Sequence, residues 1–181
     1  MALRDTGKRF GSVSIVNHWT VAVVIIALLA IGLYMDTLPR GAELTWWINL
    51  HKSLGVFVLI YGFWRVLWRV VWRFPDDVAV MPRWQEVAAK AVHIALLLCI
   101  LGMPISGYIM SSTGGHPVSF FSLFSLPALP ESGSVNKIAG GVHEWLAYAL
   151  IAIIVVHVAA AVKHHVVDKD ATLKRMVGRM T

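Results

Sequence analysis

The chain has 181 residues, enough for one domain of ordinary size. It is 57% hydrophobic and 14% charged, against about a quarter charged in soluble domains, which excludes a water-dissolved globule and favours lipid as its surroundings. The net charge of +6 and the single cysteine, Cys99, leave nucleic acid to be weighed as a partner and exclude a disulfide framework or a thiolate metal site.

Arg4, Lys8 and Arg9 precede the first apolar stretch, as in a signal peptide. That stretch is long, no small-x-small cleavage site ends it, and further spans follow, so it reads as a retained first helix. Apolar segments then run over about 15–35, 49–72, 87–110 and 138–162, each near the roughly 20 residues that cross a bilayer. Backbone groups in lipid must pair within their own segment, so these are helices, and they are too long and unbroken for barrel strands. The expected fold is an all-α membrane protein, a four-helix transmembrane bundle forming one domain over 1–181.

Thirteen basic residues fall before helix 1, at or between the facing ends of helices 2 and 3, and after helix 4. Only Arg40, Lys52 and Lys137 fall on the other side. The positive-inside rule then puts both termini in the cytoplasm, and topology accounts for the basic residues without nucleic acid. Trp19, Trp46, Trp47, Trp72, Trp84 and Trp145 stand near span ends, as interfacial aromatics do. The longest connection, 111–137, is rich in Gly, Ser, Pro and Phe, and its Phe120-Phe121 and Leu123-Phe124 are placed for the outer membrane surface. Any site for a partner is expected at helix ends and short loops.

Ionisable groups inside a membrane are costly and mark function. His18, His51, His93 and His143 each sit in the first turns of one span, and His157 lies well inside the fourth. Helices 1 and 3 enter from the cytoplasm, so His18 and His93 lie toward the inner side; helices 2 and 4 enter from outside, so His51 and His143 lie toward the outer side. From His143 to His157 the chain advances about 21 Å and returns to the same face. Helix 4 therefore offers an imidazole at each of two depths. Two depths imply two sites.

Imidazole suits zinc, copper, iron and nickel. A zinc site gathers three or four ligands, often with a carboxylate, and Glu144 is the only acid in or near a helix core. Haem iron needs two facing imidazoles and apolar surroundings. Glycines at the same 14-residue offset, Gly32 after His18 and Gly107 after His93, and the stripe of His51, Gly55 and Gly62, offer room for a flat ring, or simply close helix packing. Arg65 and Arg69, on nearly the face of His51, can meet haem propionates or snorkel to the cytoplasm. His164 shares the face of His143 and His157 and suits a quinone or a propionate. His116 reads as loop and His165 as solvated tail. Met103 and Met110 read as packing, Pro104 as a kink with Ser106 available to a freed backbone group.

Several segments together resemble one family. They are Ile15-Val16-Asn17-His18-Trp19, Asn49-Leu50-His51-Lys52-Ser53-Leu54-Gly55 and Met103-Pro104-Ile105-Ser106-Gly107-Tyr108. They continue with His143-Glu144-Trp145-Leu146-Ala147, the run His157 to His165, and the tail Asp168 to Met176. In this order, over roughly 14–176, the chain resembles the bacterial cytochrome b561 family of four-helix, di-haem, quinone-linked inner-membrane cytochromes. The resemblance implies two b haems, with His51 and His143 as axial ligands of the outer and His18 and His157 of the inner. Depth alone does not choose between His18 and His93. The resemblance leaves His93, with His164, to line a quinone site.

Some members oxidise superoxide at the outer side and reduce ubiquinone, with a basic residue three positions before the fourth-helix histidine. Gly140 stands there, and Lys137 is the nearest lysine. The expected activity is transmembrane electron transfer with ubiquinone, superoxide oxidation being the favoured form, from superoxide or a redox protein at the outer side. The alternatives are a haem-bearing anchor for a separate dehydrogenase or hydrogenase, and a haem-free metal-ion transporter.

Overall fold

A computed structural model describes residues 3–7, 9–72, 75 and 82–178. Lys8, Arg73 and Arg179, counted above toward topology, lie outside the described residues, as does most of the connection between the second and third helices. Four long helices carry the fold: α1 Ser12–Met35, α2 Ala42–Val71, α3 Arg83–Thr113 and α4 Gly133–Val166. A two-residue hairpin, β1 Ser119–Phe120 and β2 Phe124–Ser125, lies between α3 and α4, and a short α5 Thr172–Met176 ends the chain.

The helices outrun the apolar segments at almost every end. With 30, 31 and 34 residues, α2, α3 and α4 run roughly 45–51 Å, while the hydrocarbon layer is about 30 Å thick. Their first turns, with Glu43 and Thr45, Gln85 and Glu86, or Ser134 and Asn136, continue the helix into the headgroup layer, where water satisfies polar side chains. Hydropathy marks the lipid contact, not the helix end. Pro39 and Gly41 separate α1 from α2, Pro82 precedes α3, and Gly114 with left-handed Gly115 (φ 77°) follows it.

All four helices are long and apolar enough to cross a membrane, and the chain is a multi-pass protein of the bacterial inner membrane. Sequence neighbours pack as spatial neighbours, α1 on α2, α2 on α3 and, most extensively, α3 on α4. The starts of α1 and α3 and the ends of α2 and α4 share one end of the bundle, the termini end. The α1–α2 and α3–α4 connections share the other, the loop end. Val21, Ile25, Val58, Cys99, Ile100 and Leu150 form a buried apolar cluster between the helices. Most other apolar side chains of the spans face outward, including Val23, Ile60, Leu98 and Val155, as lipid contact requires.

Polar contacts close each end. At the termini end Asp5 is buried against Arg69 at 3.0 Å and accepts from the Gly11 amide at 2.6 Å and the Ser14 hydroxyl at 2.8 Å. Trp68 and Arg69 also donate to Ser14, at 2.8 and 3.0 Å, and Trp19 donates to the Met176 carbonyl of α5 at 2.8 Å. At the loop end the Lys52 ammonium donates to the Pro117 carbonyl at 3.2 Å. Ser53 donates to Ser119 and accepts from the Phe121 amide, both at 3.1 Å. The hairpin is thereby pinned to the turn that carries His51, with Phe121, Leu123 and Phe124 exposed.

Candidate functional site

Four spans bring five imidazoles into two groups. At the loop end, His51 of α2 faces His143 of α4, with ring centres 6.3 Å apart and planes at 76°. At the termini end, His18 of α1 faces His157 of α4 at 6.2 Å and 56°, and His93 of α3 approaches the same His157 at 5.6 Å and 72°. A metal with two imidazoles on opposite sides, in line, at bonds of about 2.0–2.1 Å and with each nitrogen roughly 1.1 Å from its ring centre, sets the centres about 6.2–6.4 Å apart. The pairs His51–His143 and His18–His157 have that spacing; His93–His157 falls short of it.

The helix surfaces beside the rings suit a flat group. A Cβ on Gly107 would stand 3.0 Å from His143 Cε1, and one on Gly32 would stand 3.7 Å from His51 Cε1. Gly55, one turn beyond His51, has nothing within 4 Å of where its Cβ would be. The 14-residue offset therefore works across helices. Gly32 and Gly107 share faces with His18 and His93, but about 21 Å along they serve the rings of the other level. Gly62 packs against Ile100 instead.

The two groups differ in polar company. His143 Nδ1 lies 3.0 Å from the Met103 carbonyl and 3.1 Å from Ser106 Oγ. Among the described residues no partner meets His51 Nδ1, the Arg65 Nε or the side-chain amide of Asn17, although all are buried. Arg65 Nη2 lies 3.1 Å from His18 Nδ1. Arg69, matched above to a propionate, closes its fork on Asp5, Ser14 and the Trp72 carbonyl. His164 turns Nδ1 onto Asp170 at 2.7 Å and Asp168 at 3.2 Å, away from the His157 group. Asp170 is pushed up by partial burial, and that is outweighed by hydrogen bonds from the Thr172 amide and hydroxyl and by His164, so it lies below the usual carboxylate range.

His116 lies exposed in the loop, its carbonyl accepting from Ser111, and His165, expected in the tail, is exposed on the last turn of α4. Met110 packs on Gly140, whose added Cβ would stand 3.3 Å from the sulfur. Helix packing thus occupies the position at which the resemblance led to the expectation of a basic residue, and Lys137, almost one turn earlier, is exposed. Sequence reasoning missed Asp5, Ser14 and Asn17. Ser14, Asn17, Val21 and Ile25, all buried, recur at helical spacing, and that periodicity was the available signal.

A membrane bundle with facing imidazole pairs defines a class of protein, the membrane-embedded carriers of electrons. The model of the family described as prokaryotic cytochrome b561 matches residues 9–179, and the chain belongs to that family. It is similar to cytochrome b561 homolog 2 of Escherichia coli (strain K12), with 38% identity covering 99% of this chain and 96% of that one. Cytochrome b561 homolog 1 of the same organism is 28% identical over 95% and 98% of the two chains. A probable superoxide oxidase CybB of Yersinia pestis is 28% identical over 94% and 96%. The family implies b-type haem, and its work is membrane electron transfer of oxidoreductase character.

Proposed function

We propose that the chain holds two b haems, the loop-end one between His51 and His143 and the termini-end one between His18 and His157, and that it exchanges electrons with ubiquinone. The observation that carries this reading is the pair of ring-centre separations, 6.3 and 6.2 Å. Bound there, haem supplies one-electron storage at each level of the membrane. The chain's own part is to orient the imidazoles, line the space between levels with apolar side chains and keep water out. The termini end is cytoplasmic in this reading, following the basic residues.

Arg65 is the propionate partner at the termini end. A histidine that ligates through Nε2 carries its proton on Nδ1, and a guanidinium can only donate. Arg65 then needs an acceptor other than His18, and a carboxylate matches its fork. Arg69 already has acceptors and braces the bundle end. His93, whose ring centre lies nearer to that of His157 than two imidazoles on opposite sides of one iron would stand, faces quinone exchange. His164 keeps its part in holding the tail.

At the loop end Lys52, Lys137 and Arg40 draw an anion toward the His51–His143 pair by long-range attraction. Superoxide oxidation coupled to ubiquinone reduction is the favoured activity, in keeping with the printed name of the Yersinia relative. The packed Gly140 favours a second reading, an anchor subunit that receives electrons from a separate dehydrogenase or hydrogenase. Detergent-purified protein tests both. Two haems per chain, reduced by superoxide and reoxidised by ubiquinone, are expected. A folded, colourless preparation sinks the haem reading, and reduction only in the presence of a partner complex moves the activity to the anchor.

A further inference from the structure

The two loop-end imidazoles have unequal surroundings. His143 Nδ1 lies 3.0 Å from the carbonyl of Met103. A carbonyl has no proton to give, so this contact puts the proton on Nδ1. The Ser106 hydroxyl donates to the same carbonyl at 2.9 Å and leaves a lone pair facing Nδ1 at 3.1 Å. One N–H thus serves two acceptors, and Nε2 keeps its lone pair for a metal. The opposing His51 Nδ1 is buried with no partner among the described residues.

The local sequence builds this arrangement. Pro104 lacks an N–H and loosens the α3 turn that it would otherwise close. Ser106, itself only 5% exposed, has its hydroxyl held within the helix turn by the Met103 carbonyl. Gly107 leaves the space that the ring occupies, since a Cβ would reach within 3.2 Å of Nδ1.

We infer that Ser106 is a positioning residue which, with the Met103 carbonyl, holds His143 in its Nδ1–H tautomer and lowers the midpoint potential of the loop-end haem. An imidazole whose N–H is shared with acceptors is the more basic ligand, and a more basic ligand favours ferric over ferrous iron. The inference rests on the haem reading above.

The test is spectroelectrochemical titration of purified wild type, Ser106→Ala and Ser106→Thr, with the loop-end signal identified as the one absent from His51→Ala. Haem content and the low-spin EPR signal are recorded alongside. Ser106→Ala should keep both haems, shift the loop-end EPR signal, and raise that haem's reduced-to-oxidised ratio at fixed potential by about tenfold, the lower end of what outer-shell partners contribute to metal affinity or activity. The termini-end haem should not move, and Ser106→Thr, which keeps the hydroxyl, should restore the wild-type potential. An unmoved or lowered loop-end potential in Ser106→Ala overturns the inference while leaving the haem reading intact. Equal loss of the loop-end haem from both variants also overturns it. Wild-type protein without haem defeats the haem reading itself.

Discussion

The loop end and the termini end of the bundle both gather imidazoles, but they constrain them differently. At the loop end two rings from two helices face each other, one anchored by a carbonyl and a hydroxyl, and among the described residues no third histidine competes. At the termini end His157 stands between His18 and His93, and a guanidinium lies against His18. Where two rings meet, helix packing alone selects the pair. Where three meet, packing leaves two candidate partners for His157, and the proposed pairing with His18 follows the family resemblance and a spacing of 6.2 Å against 5.6 Å.

The sharpest way to break this comparison is to remove rings. His51→Ala or His143→Ala should lose the loop-end haem entirely and keep the other, so haem per chain falls from two to one. Retention of both would show that the facing rings at 6.3 Å are not ligands. At the other end, His18→Ala should remove the second haem, whereas His93→Ala should spare both and slow reoxidation by ubiquinone. Loss of haem from His93→Ala alone would reverse the choice between the two histidines.

A subtler perturbation keeps every ring. Gly107→Ala places a methyl 3.0 Å from His143 Cε1, so the ring must turn from Met103 or the helices must part. Loop-end haem affinity should fall by about tenfold or more, the scale of lost ligand orientation, with the termini-end haem retained. Gly55→Ala has open space at its Cβ, so any loss it causes reports on the cofactor and not on helix packing. Wild-type haem content in both variants would count against a flat group seated here.

Much of this was legible in the chain. Length and hydropathy expose four spans because lipid tolerates little else, and the 14-residue step from His143 to His157 separates two levels. The loop-end pairing follows, since only His51 and His143 share that depth within spans. The termini end was not legible to the same degree. His18 and His93 both enter from one side, and one-dimensional depth cannot say which helix stands opposite His157. The glycine partners were hidden for a related reason, because Gly32 and Gly107 serve rings on neighbouring helices. Arg69 looked like Arg65 by helical phase. Its true partner, Asp5, lies 64 residues away in a polar arm, where neither hydropathy nor periodicity points.

That arm supplies a stability contrast between the ends. Asp5→Asn removes the charge paired with a buried Arg69 at 3.0 Å, and should cost about 2–3 kcal/mol, below the full penalty for an unpaired buried charge. Thermal unfolding in detergent reads it. The loop end, where the Lys52 ammonium donates to the Pro117 carbonyl, should respond by less, about 1 kcal/mol, to Lys52→Met. A larger loss there would mean that hairpin anchoring, not the terminal arm, holds the bundle together.

The smallest expected effect concerns the tail beyond α4. Asp170 accepts from Thr172 and from His164, and its folded pKa lies below the ordinary carboxylate value. A depressed folded pKa means that the ionised form favours the docked tail. The contribution is complete above the unfolded pKa of about 3.9 and disappears as pH falls through the lower folded value. At neutral pH Asp170→Ala should therefore raise the rate of protease cleavage between Val166 and Thr172, and acidification below the carboxylate range should bring wild type toward the variant. Haem content and the loop-end potential should be the same in both. A change in either would tie the tail to the His157 group, where His164 now faces the carboxylates instead.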